Sequence, residues 1–262
     1  MGTILSVRNL TKAFGGLTAV NGVDFDLREG EILGLIGPNG SGKSTMFNLI
    51  SGFLPVTLGR ITYSGRDITD LKAHRIARLG IGRAFQSSML FKELSVFENV
   101  YNGFHLRYRI SQWKSFLHTP DARREEEQAR VEVMGILEFM GIAKYKDVLA
   151  QNLPHGHQKI LGVCLAMVIR PRVLLLDEPL AGMHSEEAAA MGAVIGKIRD
   201  SGVSIVLVEH NVAAVMRLCD RVIVLNQGRK IAEGLPGEIA ENREVIEAYL
   251  GRDDDEERFY AP

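Results

Sequence analysis

Gly37-Pro38-Asn39-Gly40-Ser41-Gly42-Lys43-Ser44-Thr45 fits the phosphate-loop pattern G-x-x-x-x-G-K-[ST], with Gly37, Gly42, Lys43 and Ser44 at its fixed positions. An apolar run of strand character, Ile32-Leu33-Gly34-Leu35-Ile36, leads into it. Thr45–Ile50 follows as a helix with apolar residues on its inner side. Strand, glycine loop and helix in this order separate the motif from a chance glycine-rich turn. The chemistry needs these residue types. Gly37, Gly40 and Gly42 let backbone N–H groups curl around phosphate oxygens where a side chain would collide. The helix start adds partial positive charge. The pattern predicts Lys43 between the β- and γ-phosphates of a nucleotide and the Ser44 hydroxyl on Mg²⁺.

Working outward, the next informative run is Val173-Leu174-Leu175-Leu176-Asp177-Glu178-Pro179. Its apolar residues do not alternate, as expected of a central parallel strand covered on both faces. The strand delivers two carboxylates at its C-terminal end, where open α/β sheets bind ligands. Asp177 is placed to hold Mg²⁺ through water, and Glu178 to orient and deprotonate the water that attacks a γ-phosphate. His210 ends a second apolar strand, Ser204–Val208, in Val208-Glu209-His210, and so reaches the same edge of the sheet.

The remaining chain frames these elements. Ile4–Val7 and Val20–Leu27 read as strands; Val23, Phe25 and Leu27 alternate with Asp24, Asp26 and Arg28, the period of a sheet with one wet face. Arg60–Tyr63 is a further strand, and Asp70 is expected to cap a helix through Leu79. From Ser87 to about Gly156 strand alternation stops. Ser95-Val96-Phe97-Glu98 is a capping box, and Thr119-Pro120 starts a helix with Val133, Leu137 and Met140 on one face and a solvated charge run on the other. A helix is expected from Gln158 to Ile169, closed by Arg170-Pro171, and another from Glu186 to about Arg199, capped by Ser185. Asn211–Cys219 and Arg243–Leu250 read as helices, and Val222–Leu225 and Lys230–Ala232 as strands flanking a turn. Asp253–Glu257 is an acidic block of disordered character.

Composition narrows the function classes. The 262 residues are 46% hydrophobic and 24% charged, which suits a globular protein with a sizeable core. A net charge of −1 gives no basic field for nucleic acid, and none is expected as a partner. Cys164 and Cys219 lie far apart, in no metal-ligand spacing, and read as buried thiols. The N-terminal stretch lacks the pattern of a signal peptide, and Leu161–Ile169, the longest apolar run, is about half of what a spanning helix needs.

These residues resemble the ATP-binding cassette (ABC) ATPases, over almost the whole chain to about Leu250 and in that family's order. The resemblance implies an α/β fold: a P-loop NTPase core of mixed sheet with flanking helices, an inserted α-helical subdomain and an antiparallel β N-terminal part. It implies one domain over 1–251, with a RecA-like core at about 1–86 and 158–235. The helical subdomain would span about 87–157 and C-terminal helices about 236–251, with a disordered tail at 252–262. Gly37–Thr45 is similar to the Walker A loop. Asp177 and Glu178 are similar to Walker B and its catalytic glutamate, and His210 to the switch histidine. Phe14 looks like the aromatic that stacks on adenine, with Val20 beneath it. Gln86 looks like the Q-loop glutamine, a Mg²⁺ contact. Leu153-Pro154-His155-Gly156-His157-Gln158 stands where the signature motif belongs, and Ala181-Gly182-Met183-His184 where the D-loop does. The implied cofactors are ATP and Mg²⁺, bound between one chain's Walker A and the other's signature in a head-to-tail dimer.

A sub-branch is also legible. Phe14-Gly15-Gly16-Leu17-Thr18-Ala19-Val20, Leu90-Phe91-Lys92-Glu93-Leu94-Ser95-Val96, Asp177–Met183 and Glu209-His210-Asn211 resemble the LivG-type ATPases of branched-chain amino-acid importers; urea, amide and aromatic-acid importers share these motifs. That resemblance implies a second, LivF-like cassette or a second copy as partner, two transmembrane permease subunits and, indirectly, an external solute-binding protein. It implies a peripheral place on the cytoplasmic face of the membrane, with Ser87–Glu93 as contact surface. Two departures stand out. Against the family's Leu-Ser-Gly-Gly-Gln, Pro154 replaces the serine and His155 a glycine, and His184 replaces the D-loop acid. This predicts a heterodimer with unequal sites, set against a dimer in which backbone groups near Gly156 suffice and both sites turn over. A cassette acting on nucleic acid or ribosomes is disfavoured by the short helical insert and the missing basic stripe. A GTPase is disfavoured because no Asn-Lys-x-Asp segment exists, and a silent cassette by the intact Lys43, Asp177, Glu178 and His210.

Overall fold

The computed structural model describes residues 2–84, 90–104 and 120–250. Two sheets share one core. The first is antiparallel, in the order β2-β1-β4-β5, from β1 (Thr3–Phe14), β2 (Leu17–Arg28), β4 (Leu58–Tyr63) and β5 (Arg66–Asp67). Val20, Val23, Phe25 and Leu27 of β2 are buried and Asp24 and Arg28 exposed, as the alternation predicts.

The second sheet runs β10-β9-β3-β8-β7-β6. It holds β3 (Ile32–Ile36), β6 (Ile81–Ala84), β7 (Val173–Asp177), β8 (Ser204–Val208), β9 (Arg221–Asn226) and β10 (Arg229–Gly234). Five strands are parallel, and β10 is antiparallel to β9. Every residue of β3, β7 and β8 is buried, so both faces of these strands are covered. Leu33, Leu35, Val173 and Leu175 face the antiparallel sheet and α1 (Lys43–Ile50); Ile32, Ile36, Leu174 and Leu176 face the later helices. Each fully buried leucine contributes about 1.5–3 kcal/mol relative to exposure, which is why the strands read as continuous apolar runs.

α2 (Ala73–Leu79) connects the antiparallel sheet to β6. Its N-cap is Lys72, not Asp70. Leu71 N–H donates to Ile68 O at 3.0 Å, closing a turn around Asp70, and the chain needs two more residues before the first helical bond. Between β6 and β7 the described residues are helical: α3 (Val96–Gly103), α4 (Pro120–Phe139) and α5 (His155–Met167), with two single 3₁₀ turns. The Ser95 capping box forms, Ser95 Oγ accepting Glu98 N–H at 3.1 Å and Glu98 Oε2 accepting Ser95 N–H at 2.7 Å. Val133, Leu137 and Met140 are buried, while the charged residues 124–127 are exposed. α5 begins at His155, earlier than the expected Gln158, with Pro154 as its N-cap.

Four further helices follow among the described residues: α6 (Ser185–Asp200), α7 (Val212–Leu218), α8 (Pro236–Ala240) and α9 (Arg243–Leu250). His184, not Ser185, is the N-cap of α6, because the chain is already extended at His184 and Ala188 N–H donates to its carbonyl at 2.9 Å. Cys164 and Cys219 are buried free thiols, as expected. No helix among the described residues is long and apolar enough to cross a membrane. Gln86, residues 105–119 and the acidic tail lie outside the described residues.

Candidate functional site

The loop 37–45 runs from the end of β3 into α1, at the carboxyl edge of the parallel sheet. Its shape depends on glycine. A Cβ on Gly37 would collide with the Leu225 carbonyl oxygen, and one on Gly42, at φ 107°, would sit 2.6 Å from Ala19 O. Gly228, in the turn between β9 and β10, clamps the loop: its N–H donates to Ser41 O at 2.9 Å, and its carbonyl accepts Asn21 N–H at 2.8 Å. Lys43 is buried and donates from Nζ to the carbonyls of Gly37 (2.6 Å) and Pro38 (3.0 Å). Asn39, Gly40 and Ser44 are exposed, and Ser41 and Pro38 are buried. This is a backbone cradle whose inner surface a side chain would fill, with one ammonium aimed across it. It fits a polyphosphate.

The two carboxylates emerge from β7, two strands over from the loop with β8 between. Asp177 closes β7, buried, with Oδ2 2.9 Å from Arg83 Nη2. Arg83 also donates to Asn48 Oδ1 at 2.7 Å and Ser51 Oγ at 3.0 Å, and lies over the Phe47 and Phe53 rings. It ties Asp177 to the end of α1. Glu178 takes a left-handed backbone, φ 50°, uncommon for a non-glycine residue and found where the chain turns sharply to present a side chain. Its N–H donates to Val208 O at 2.9 Å, holding the turn against β8. Its Oε1 lies 2.6 Å from His210 Nε2. Strand-end positions thus bring Glu178 and His210 into direct contact. The buried Glu209 beside them accepts Leu180 N–H at 2.6 Å, fixing the backbone after Glu178. Burial pushes the Glu209 carboxyl up to about 7, with the nearby Glu178 adding to the shift and the Leu180 and His210 N–H groups opposing it.

A hard, oxygen-binding cation such as Mg²⁺ is matched by the donor types present, a hydroxyl at Ser44 and a carboxylate at Asp177. Phe14 is half-exposed at the end of β1, with Lys12 Nζ 5.0 Å from its ring centroid, and the fully buried Val20 pairs across the sheet with Lys12. The ring therefore offers a face for stacking. Pro154 and His155 are exposed at the start of α5; Gly156 and Leu153 are buried. His157 packs edge-on against Tyr145, ring centroids 4.7 Å apart. Gln158 turns back to donate to Leu153 O at 2.9 Å. Ala181–His184 forms a turn over Gly182, φ 75°, exposing Gly182 and His184.

Sequence reasoning overlooked Arg83, Glu209, Gly228 and Asn99. Asn99 is fully buried, accepts Phe91 N–H at 2.9 Å and donates to the carbonyls of Phe91, Leu94 and Ser95, shaping the turn that leads into α3. Only Gly228 carried a local signal, as a glycine closing Asn226-Gln227-Gly228.

A phosphate cradle, a strand-end carboxylate pair and a facing histidine on this double sheet define an ATP-binding cassette. The model of the ABC transporter family matches residues 20–181, and the chain belongs to that family. It is an ATPase of the transport class and binds ATP. Its 229–255 segment matches a second model, described as the branched-chain amino acid ATP-binding cassette transporter. The chain is 41% identical to the high-affinity branched-chain amino acid transport ATP-binding protein LivG of Salmonella typhimurium, over 95% of this chain and 98% of that one. It is 40% identical, with the same coverage, to BraF of Pseudomonas aeruginosa. At 33% it is also similar to the lipopolysaccharide export ATP-binding protein LptB of Escherichia coli. Among solved structures, the ADP conformation of MJ1267, a cassette of an ABC transporter, superposes with a TM-score of 0.85 at 30% identity, covering 96% of this chain and all of that one.

Proposed function

We propose that this chain is the ATP-hydrolysing subunit of an importer for branched-chain or related amino acids, seated on the cytoplasmic face of the membrane. The observation that carries the catalytic part is the Glu178–His210 contact of 2.6 Å at the sheet edge that also bears the phosphate loop. The solute class is supported by the 41% identity to LivG and by the match of residues 229–255, against 33% to an export cassette.

The placement of the described side chains supports the following chemistry. The Gly37–Thr45 backbone binds the phosphates, and Lys43 exchanges its two carbonyl partners for phosphate oxygens. Phe14 stacks on the base. Ser44, Asp177 and Gln86 would hold Mg²⁺, which supplies neutralisation of charge on the β- and γ-phosphates. Glu178 orients the attacking water and takes its proton. His210, bonded to Glu178, fixes the carboxylate and faces the γ-phosphate. The signature of a second cassette, LivF-like or another copy of this chain, completes each site. ATP binding closes the pair, and hydrolysis with product release reopens it. Ser87–Glu93, whose described part, residues 90–93, leads through the turn held by Asn99 with Phe91 exposed, passes the motion to two permease subunits; an external binding protein delivers the solute.

The test is transport. The chain is reconstituted in vesicles with two permease subunits, a LivF-like cassette and an external binding protein. ATP-driven uptake of labelled leucine or valine is the expected result. ATP-driven uptake of urea or an aromatic acid, without leucine, would move the solute assignment, and ATP turnover with no uptake of any solute would overturn import.

A further inference from the structure

α5 has a defect at its start, and another helix repairs it. Its N-cap is Pro154, which has neither a side-chain oxygen nor an N–H, and no acidic residue lies in its first turn. The missing partner comes from α6. Glu187 Oε1 accepts Gly156 N–H at 3.2 Å, while Oε2 lies 3.4 Å from the N–H of His184, the N-cap of α6. A single carboxylate therefore serves the positive ends of both helices. The approach is close: a Cβ at Gly156 would lie 2.9 Å from Oε1 and 3.1 Å from Cδ of Glu187. His155, on the same turn of α5, leans over Gly182, where a Cβ would sit 3.4 Å from its Nε2.

We propose that Glu187 is a positioning residue that latches the signature turn to the D-loop. It occupies the Gly156 N–H in cis and must release it before that turn can take the terminal phosphate of ATP held by a partner cassette. The proposal rests on the cassette reading above. A carboxylate and a phosphate are both anions and compete for one donor; a site completed by this chain's signature must first break the Glu187 bond. The latch keeps the start of α5 and the start of α6 together as one rigid turn. It also weakens the site that this chain's signature completes, so that the two sites of a mixed dimer close unequally.

Two variants, Glu187→Ala and Glu187→Gln, are built on the Glu178→Gln protein, so that turnover does not drain the closed state. Mass in solution against Mg-ATP concentration reads closure. Amide hydrogen exchange of 153–158 in the nucleotide-free monomer reads the latch. Trinitrophenyl-ATP fluorescence reads nucleotide binding by the monomer. Glu187→Ala is expected to lower the ATP concentration for half-dimerisation by about 5- to 10-fold, the size of one charge-assisted hydrogen bond. Glu187→Gln, which keeps an acceptor oxygen, should give a smaller shift. Exchange at 153–158 should rise about tenfold in Glu187→Ala, with nucleotide affinity unchanged. Unchanged exchange, or a dimer no tighter than the parent's, overturns the latch; so does a protein that stays monomeric at saturating ATP in all three forms. A parent that dimerises only once Glu187 is removed upholds it. If the parent binds no trinitrophenyl-ATP, the cassette reading fails, and the exchange result alone decides whether Glu187 holds Gly156.

Discussion

Arg83→Met should destabilise the protein by about 3–5 kcal/mol, the cost of breaking a buried ion pair from one side. The side chains of Arg83 and Asp177 are each 9% exposed, and their atoms meet at 2.9 Å. Methionine fills much of the arginine's volume, so the loss is electrostatic rather than a cavity. It strands the Asp177 carboxylate in the core and removes the donor to Asn48 Oδ1 and Ser51 Oγ. Urea denaturation followed by far-ultraviolet circular dichroism measures the change; in a chain of this size it corresponds to a fall of about 10 °C in melting temperature. Adding Asp177→Asn removes the stranded charge and should restore more than about half of the loss. An Arg83→Met protein within about 1 kcal/mol of wild type, or a double variant no more stable than the single one, would refute the reasoning.

Glu209 links stability to pH. Burial lifts its carboxyl from an ordinary 4.5 to about 7, so the folded protein holds this proton more tightly than the unfolded chain. Its contribution is therefore largest below 4.5, falls as pH rises through the window from 4.5 to about 7, and stays low above it. Glu209→Gln should abolish that slope and be more stable than wild type by about 1–3 kcal/mol at pH 8; parallel stability–pH curves would contradict this. Burial pushes both thiols, Cys164 and Cys219, well above the ordinary range, so neither should react with Ellman's reagent in the native protein and both should react in urea; rapid native labelling would be inconsistent with their packing. Phe14→Ala should weaken trinitrophenyl-free ATP binding, measured by calorimetry, by about tenfold, and no change would remove Phe14 from the base site.

What the sequence made legible is what the chain encodes locally. The phosphate loop needs three glycines in one turn, and the buried strands need unbroken apolar runs, so Gly37–Thr45 and Val173–Asp177 are legible in the sequence itself. His210 was found because a strand's end fixes where its next residues lie. Contacts made across the fold left no such trace. Arg83 and Asp177 are 94 positions apart, Glu209 and Leu180 29, and Gly156 and Glu187 31. Each pair looks unremarkable in its own segment. Two helix starts differ from the sequence expectation for a related reason. Asp70 and Ser185 have good capping side chains, yet the Ile68–Leu71 turn and the extended His184 decide where the first helical bonds form. Pro154 stands where the family has a serine, and Glu187 replaces the missing cap from outside the helix.

The central claim is that Glu178, held by His210, activates water for attack on ATP, and phosphate release by the purified chain, alone and mixed with a LivF-like cassette, tests it most directly. Wild type should release phosphate with Mg-ATP, and Glu178→Gln should lose about 10²–10⁴-fold in turnover while still binding ATP, the loss expected of a missing general base. A Glu178→Gln protein that turns over ATP at near the wild-type rate would contradict the account.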